Sequence, residues 1–436
     1  MTMLKTIFRL TQCGLLLALM AAAASGADSS ADAQSVYGQW KNGPPTDPKF
    51  FPIAVWLQSP KNAALYKAAG INTYVALWRG PTQEQLRALQ ETGMRVICSQ
   101  NSMGLSNKDN ATIIGWMHGD EPDNAQARPG QKGYGPPIVP ETIVTNYNKL
   151  RVSDPTRPVL LNLGQGVAWD NYIGRGVRRN HPEDYANYIK GCDIASFDIY
   201  PAVHSDPAIG GKLEYVSHGV DRLLQWGDGK KLAWNCIECS RISNTTTKPT
   251  AEQIRTEVWM SLIHGSRGLI YFVHQFKPTF QEASLLEDKE LLQGVTALNR
   301  QIQELAPVLN SGTITNAVEV RSSAKDVPIS SMMKRYGGAI HLFAVNMRNE
   351  ATHGTFKMHD AGPDKAVEVL HETRKLMAKG GEFADDFAPY AVHLYRGLFQ
   401  NGGRLVDCAR PVKVASSSKV VARRRASTFL FCRKAR

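Results

Sequence analysis

The chain has 436 residues, of which 43% are hydrophobic and 21% are charged, and its formal net charge is +12. Such a charge suggests a nucleic-acid partner until its distribution along the chain is considered. Eight positive charges follow Arg410 in a stretch without acids, and Lys5 and Arg9 lie near the N-terminus, so the body carries only about +2. A duplex-reading protein would gather its positive charge on one folded face, and we therefore expect no nucleic-acid partner.

The first 26 residues have the order of a secretory signal peptide. Lys5 and Arg9 precede an uncharged run over residues 13–24, and small residues follow from Ala24 to Ala27. The run is shorter than the roughly 20 residues that a helix needs to cross a bilayer. We therefore expect a cleaved leader over 1–26, no membrane span after its removal, and a secreted or periplasmic protein.

Between residues 45 and 308, short apolar β-rich runs alternate with helical stretches. The predicted strands are 52–57, 72–78, 95–99, 113–119, 159–163, 193–200, 232–238 and 268–273. Predicted helices include 61–69, 83–91, 141–150, 182–190 and 252–263, and Gly70 and Gly93 stand where a left-handed cap is expected. Eight such units fit a (β/α)8 TIM barrel, whose active site lies at the carboxyl ends of its strands. The alternative is an open doubly wound sheet, but no glycine-rich phosphate loop follows the first strand.

The pattern changes after Pro307. Apolar runs at 317–320, 339–346, 355–358, 366–370 and 391–395 are separated by Gly, Asn, Asp and Pro turns, without a convincing helix. This spacing predicts a small antiparallel β-sandwich domain over 309–398. Residues 399–436 are basic and poor in apolar side chains, and we expect them to form a disordered tail.

Acidic residues stand at the ends of two predicted strands. The fourth strand leads into His118-Gly119-Asp120-Glu121-Pro122-Asp123, and the seventh ends at Glu238 after an uncharged run. Because burying charge is costly, a carboxylate at the end of a central strand usually has a partner or a role. Two facing carboxylates suit glycosidic cleavage, in which one donates a proton and the other attacks or stabilises the anomeric carbon. The structural alternative is that Glu121 caps a helix and Glu238 pairs with an arginine such as Arg267.

The chain resembles the clan A glycoside hydrolases, retaining barrels whose acid/base follows strand four and whose nucleophile ends strand seven. Besides the two glutamates, the resemblance rests on Phe197-Asp198-Ile199-Tyr200-Pro201 after strand six and on the run 264–272 around strand eight. It implies that Glu121 is the acid/base and Glu238 the nucleophile of a retaining enzyme that acts on a β-linked glycan. Most members have Asn before the acid/base, whereas this chain has Asp120, which can only accept hydrogen bonds when ionised. This departure keeps open a second hypothesis, a barrel that binds sugar without cleaving it.

Candidate substrate-binding residues lie near the same strand ends. Aromatic side chains can pack on the C–H faces of sugar rings, and Trp234 is the favoured platform because strand alternation places it on the face of Glu238. Trp116 falls on the opposite face to Glu121 and is expected to pack under a helix. Each candidate could instead be a core residue or a satisfied structural hydrogen-bond partner. The candidates are Trp56, Trp78, Asn101, His118, Asp120, Asn162, Asp198, Tyr200, Trp234 and His274.

The sequence shows no metal or cofactor signature. His118 and His274 have no partner at ligand spacing. Cys236 and Cys239 have CxxC spacing, but on a strand they point to opposite faces. We therefore expect no metal, no cofactor and an oligosaccharide or polysaccharide partner, and the oligomeric state stays open. A third hypothesis, an interaction protein that binds anionic polymers, rests on the basic tail alone.

Overall fold

The computed structural model describes residues 35–359 and 364–398. The expected signal peptide over 1–26 and the expected disordered tail over 399–436 lie outside the described residues, and both stay predictions. In the part of the chain that is described, no helix is both long enough and apolar enough to cross a membrane.

Within the described residues, nine parallel strands form a barrel. They are β1 (Ile53–Trp56), β2 (Thr73–Val75), β3 (Arg95–Ser99), β4 (Ile113–Asp120), β5 (Val159–Leu163), β6 (Ile194–Phe197), β7 (Leu232–Ala233), β8 (Asn235–Glu238) and β9 (Leu269–Phe272). Strand β1 pairs with both β2 and β9, β7 pairs with β6, and β8 pairs with β9. Strands β7 and β8 are the two halves of the predicted seventh strand, interrupted at Trp234. The predicted α/β barrel fold is therefore confirmed.

Alternation along the strands gives the barrel an inner and an outer layer of apolar side chains. Cys236 belongs to the inner cluster and Cys239 to the outer one, so the two side chains lie on opposite faces of the barrel wall, as predicted. Both thiols are free. Tyr37 closes the amino-terminal end of the barrel. Its hydroxyl donates to the carbonyl of Arg267 at 2.7 Å and accepts from Nε1 of Trp234 at 3.0 Å. Trp234 is therefore packed at the closed end of the barrel, away from the carboxyl ends of the strands.

Helices cover the outside of the barrel, and capping residues fix several of their ends. The α-helices of the described residues are α1 (Ala63–Ala68), α2 (Gln83–Thr92), α3 (Ser102–Ser106), α4 (Pro140–Ser153), α5 (Tyr185–Tyr188), α6 (Tyr215–Trp226), α7 (Ala251–Ile263), α8 (Ser284–Glu287) and α9 (Lys289–Asn310). Thr82 and Thr250 begin α2 and α7 with reciprocal capping boxes. Gly93 ends α2 with a φ of 69°, the left-handed cap expected there. The predicted helix over 182–190 is α-helical only in α5, because 3₁₀ turns flank it.

Antiparallel sheets follow α9. In the described part of the chain, one sheet has the order β10 (Thr313–Ile314), β12 (Ile329–Tyr336), β13 (Ala339–Asn346), β18 (Val392–Leu398), β15 (Lys365–Val369) and β16 (Arg374–Ala378), and a second sheet consists of β11 (Val318–Ser322), β14 (Thr352–Met358) and β17 (Glu382–Phe387). The described residues fall in one compact unit. The domain boundary at 308/309 therefore stays a prediction, and α9 continues through Pro307 to Asn310.

Helix α7 lies between the barrel and the six-stranded sheet. The ring of Trp259 on α7 is fully buried, with its centroid 5.1 Å from that of Phe343 on β13. The hydroxyl of Thr256 donates to the carbonyl of Tyr390 at 2.9 Å. Every residue of α7 from Thr256 to Ile263 is buried, as expected for a helix that is covered on all sides.

Replacing Trp259 by Ala is expected to lower the free energy of unfolding by about 3–5 kcal/mol, because truncating a buried aromatic side chain removes buried area and leaves a cavity. Trp78 provides a matched control, since it is 68% exposed. W78A is expected to change the free energy of unfolding by less than about 0.5 kcal/mol. Urea unfolding followed by circular dichroism measures both variants. A loss in W259A no larger than that in W78A would contradict the packing described for α7.

Candidate active site

Glu121 lies at the carboxyl end of the barrel, directly after β4. Its backbone leaves the strand with a φ of 44°, in the left-handed region that non-glycine residues seldom adopt. The turn is held on both sides. The amide of Glu121 donates to the carbonyl of Asn162 at 3.0 Å, and its carbonyl accepts from the amide of Asn124 at 3.1 Å. Because such a conformation persists only where surrounding contacts enforce it, the fold itself holds Glu121 at the barrel mouth.

A hydrogen-bond network joins strands β4, β5 and β6 at the mouth. The hydroxyl of Ser196 donates to Oδ1 of Asn162 at 2.8 Å, which leaves the amide nitrogen of Asn162 free to donate elsewhere. That nitrogen lies 2.9 Å from Oδ1 of Asp120 and 3.4 Å from Oδ1 of Asp198. The thiol of Cys236 also faces Oδ1 of Asn162, at 3.6 Å. One amide group thus positions two carboxyl groups that come from different strands.

Glu121 and Asp198 are half-buried and form a hydrogen-bonded carboxyl pair. Burial raises the pKa of Glu121 to about 7, and the negative charges of Asp120 and Asp123 act in the same direction. Burial also raises the pKa of Asp198 well above its usual range, and the neighbouring Glu121 raises it further. Two carboxyl groups in contact do not both ionise readily, so the pair retains a proton near neutral pH. An isolated glutamate would have lost that proton.

Asp123 is a buried anchor for the loop that carries Glu121. Its Oδ1 accepts from the amide of Gly164 at 2.9 Å, and its Oδ2 accepts from the hydroxyl of Tyr185 at 2.7 Å. The guanidinium group of Arg175 donates to its backbone carbonyl at 3.1 Å. Asp123 therefore ties the segments after β4 and β5 together.

Glu238 ends β8 and is fully buried. Its Oε1 accepts from the amide of Ala202 at 2.6 Å, and its Oε2 accepts from the amide of Val203 at 3.0 Å. Burial raises its pKa to about 7, whereas a hydrogen bond with Glu257 of α7 and the two amides act to lower it. The structure thus places Glu238 in one carboxyl pair and Glu121 in another.

Three of the predicted binding residues are buried or face the outer helices. Trp234 is fully buried at the closed end, and Trp56 is buried in the inner cluster. Nε2 of His118 lies 2.9 Å from the carbonyl of Ile143 on α4. Trp234 is buried and therefore cannot serve as the predicted sugar platform in this structure. Strand alternation predicts which face of the strand a side chain lies on, but not how deep in the barrel it lies.

Asn101 and His274 take part in structural hydrogen bonds. Oδ1 of Asn101 accepts from the amide of Gly104 at 2.8 Å and caps α3, while its Nδ2 donates to the carbonyl of Pro81 at 3.0 Å. Nε2 of the buried His274 lies 3.2 Å from Nε2 of Gln58. Both ends of the Asn101 amide are therefore used by the fold, which explains its position after β3 without a substrate.

Tyr200 and Trp78 follow strands β6 and β2 and therefore lie on the mouth side of the barrel. The ring of Tyr200 is nearly buried, with its centroid 5.2 Å from that of Phe272 at the end of β9. The ring of Trp78 is exposed, and the guanidinium carbon of Arg79 lies 5.7 Å from its centroid. Of the four aromatic residues predicted to bind sugar, namely Trp56, Trp78, Tyr200 and Trp234, Trp78 therefore has the ring that is most accessible to a sugar.

Comparison with known proteins gives matches at the level of structure. No protein-family model matches the sequence, and no curated protein matches it. AmyP, solved in complex with maltose, has a TM-score of 0.50 and 9% identity over 80% of this chain and 96% of that chain. A catalytic mutant of Gan42B, a GH42 beta-galactosidase from G. stearothermophilus, has a TM-score of 0.50 and 9% identity over 80% of this chain and 98% of that chain. This chain therefore shares its barrel fold with these two proteins.

Three residues near the carboxyl groups at the barrel mouth were missed in the sequence analysis. They are Ser196 and Cys236, which both contact Asn162, and Tyr172. The pKa of Tyr172 is raised by burial and then by the charges of Glu121 and Asp198, which places its hydroxyl near the pair. Ser196 precedes Asp198 by two residues, so period-two alternation was a usable signal for it. Tyr172 lies among irregular turns between β5 and β6, where no periodicity marks it.

Proposed function

We propose that this barrel is a glycosidase with the Glu121–Asp198 pair at its active centre. The observation that carries the proposal is the half-buried carboxyl pair, in which Glu121 has a pKa of about 7. A general acid that works near neutral pH needs a carboxyl group that still holds its proton there. The pair also lies at the carboxyl ends of the barrel strands, where barrel enzymes carry their active sites. The fold shared with AmyP and Gan42B supports the same class of function.

In the proposed reaction, Glu121 donates its proton to the glycosidic oxygen as the bond to the leaving sugar breaks. The ionised Glu121 then removes a proton from the attacking water. Asp198, whose pKa is raised further than that of Glu121, keeps its own proton and donates it in a hydrogen bond to the ionised Glu121. The carboxylate of Asp120, held by Asn162, adds negative charge beside a positively charged anomeric centre.

We propose Glu238 as the nucleophile of a retaining reaction on a β-linked glycan. Its position at the end of the seventh barrel strand supports this role, and the amides of Ala202 and Val203 favour its ionised form. Because Glu238 has no exposed surface, the role requires that the segment carrying these amides shifts when substrate binds. A retaining mechanism places the carboxyl groups of Glu121 and Glu238 about 5–5.5 Å apart.

The burial of Glu238 favours a second candidate function, a barrel that binds sugar without cleaving it. Both oxygens of Glu238 already accept backbone hydrogen bonds. Asp120 also occupies the position at which most clan A glycoside hydrolases have Asn. In such a protein, the mouth carboxyl groups would accept hydrogen bonds from sugar hydroxyls, and the exposed ring of Trp78 would cover a sugar face.

We further propose an oligosaccharide or polysaccharide substrate and a secreted or periplasmic location. The location is supported by the signal-peptide pattern over residues 1–26. A polymeric glycan is too large to enter a cell intact, so an exported enzyme is suited to it.

A panel of polysaccharides and aryl glycosides separates the two candidate functions, and we expect at least one β-linked member to release reducing sugar. Glu121→Gln keeps the side-chain shape but cannot transfer a proton, so it should remove release from natural glycans. Glu141→Gln, at an exposed position of α4, is the matched control and should leave release unchanged. Binding on a glycan array by a parent protein that releases no sugar would establish the binding function instead. A protein that neither cleaves nor binds any glycan would contradict both candidates.

A further inference from the structure

Glu257 on α7 is a buried carboxyl group that the reaction proposed above does not use. It is fully buried, and, if every carboxyl group is ionised, neither of its oxygens has a hydrogen-bond donor among the described residues. Its side chain is within hydrogen-bonding range of Glu238. Two ionised carboxylates in this position would face both desolvation and mutual repulsion. A proton on one of them removes the repulsion and supplies the missing donor.

Among the residues that the structure describes, no positively charged group acts on the pKa of either glutamate. The thiol of Cys239, which directly follows β8, interacts with both glutamates, and burial raises its own pKa. The hydroxyl of Tyr271 on β9 lies near that thiol. The segment after β6 contributes two backbone amides. In the described part of the chain, burial and Glu238 are what raise the pKa of Glu257.

The fold fixes α7 against β8 beside the pair. The hydroxyl of Ser261, one turn after Glu257, donates to the backbone carbonyl of Glu257 at 2.7 Å. The same hydroxyl accepts from Nδ2 of Asn235, at the start of β8, at 2.7 Å. The helix cannot slide along the strand without breaking this bridge, so the separation between the two glutamate side chains is set by the packing of α7.

We propose that Glu257 keeps a proton at neutral pH and donates it in a hydrogen bond to Glu238, which holds the ionised Glu238 carboxylate in place. Two amides already stabilise negative charge on Glu238, whereas Glu257 has no such donor among the described residues, so the shared proton rests on Glu257. The pKa values follow the same order, because that of Glu257 is raised well above its usual range and that of Glu238 to about 7. Glu257 is then a positioning residue that acts through Glu238.

Infrared difference spectroscopy at neutral pH tests the proton on Glu257 and does not depend on any enzymatic activity. The parent is expected to show the carbonyl stretch of protonated carboxyl groups, and folded E257Q should lose the share that Glu257 contributes. E252Q alters an exposed acid on the same helix and should leave the band unchanged. A band that is unchanged in folded E257Q overturns the proposal.

Glu238→Gln tests the same hydrogen bond if E257Q does not fold. Removing the charged acceptor weakens the bond from the Glu257 carboxyl group, so part of the protonated-carboxyl band should shift in frequency. A band that neither shifts nor changes in intensity in E238Q overturns the proposal.

Kinetics test the positioning role, and this part rests on the proposed glycosidase function. E257Q still offers an N–H donor to Glu238, whereas Glu257→Leu offers none. Glu238 must be ionised to react, and the loss of a hydrogen-bond donor raises its pKa. On acidification, kcat/KM should therefore begin to fall at a pH about one unit higher in E257L than in the parent. E257Q should lie between E257L and the parent. Identical profiles for E257L and the parent overturn the positioning role, whereas a parent without activity contradicts the proposed function and leaves the infrared result to decide.

Discussion

Glu121→Ala is expected to lower kcat/KM on natural glycosides by about 10²–10⁴-fold and to spare substrates that carry a good leaving group. A sugar alkoxide needs a proton as the glycosidic bond breaks, whereas a nitrophenolate leaves without one. Glu121 is the group suited to supply that proton, because burial and the nearby Asp120 and Asp123 raise its pKa to about 7. The comparison uses kcat/KM because this ratio reports on the glycosylation step and not on the later attack of water.

Glu141→Gln is again the control for replacing an acid at the surface, and its kcat/KM should match that of the parent on both substrates. An equal loss on the natural and the nitrophenyl substrate in E121A would exclude Glu121 as the general acid. Loss of all activity on nitrophenyl glycosides in E121A, together with retained activity on them in E238A, would reverse the roles of Glu121 and Glu238.

The sequence predicted the barrel well because its strands are short apolar runs with clear ends. The predicted strands 95–99 and 159–163 coincide with β3 and β5. Trp116 lies in the outer layer, with its Nε1 donating to Asp154 at 3.0 Å, which agrees with the face that alternation assigns to it. The break at Trp234 was not visible, because the uncharged run over 232–237 continues through it without a turn residue.

The candidate site was predicted less completely, because its contacts depend on how the strands curve. Glu121 and Glu238 could be found from their positions at strand ends. The contact between Glu121 and Asp198 could not be predicted, because these residues follow β4 and β6, and β5 lies between those two strands. The two strand ends are linked through Asn162 of β5. In the sequence, Glu257 has the pattern of a solvent-exposed acid on a helix. Its burial results from the packing of α7 between the barrel and β13.

Glu238→Ala is expected to abolish turnover of natural and nitrophenyl substrates alike, with kcat falling by more than about 10⁴-fold. A good leaving group cannot compensate here, because without the carboxylate no covalent glycosyl-enzyme forms. Truncating the side chain also leaves a space beside the backbone amides of Ala202 and Val203, which held the carboxylate at 2.6 Å and 3.0 Å. A small anion is suited to that space, because the two amides remain as donors and no negative side chain opposes it.

Added azide should therefore restore turnover of nitrophenyl glycosides in E238A. Azide would attack the anomeric carbon from the side that Glu238 has vacated, so the product should be a glycosyl azide of inverted configuration, which nuclear magnetic resonance identifies from its anomeric proton. Glu121→Ala with azide is the matched comparison, because azide replacing the water of the second step needs no base and gives a product of retained configuration. Inverted azide product from E238A together with retained product from E121A would assign both roles in one experiment. Full activity of E238A on natural glycans without azide would remove Glu238 from the reaction and leave Glu121 and Asp198 as the acids to be tested next.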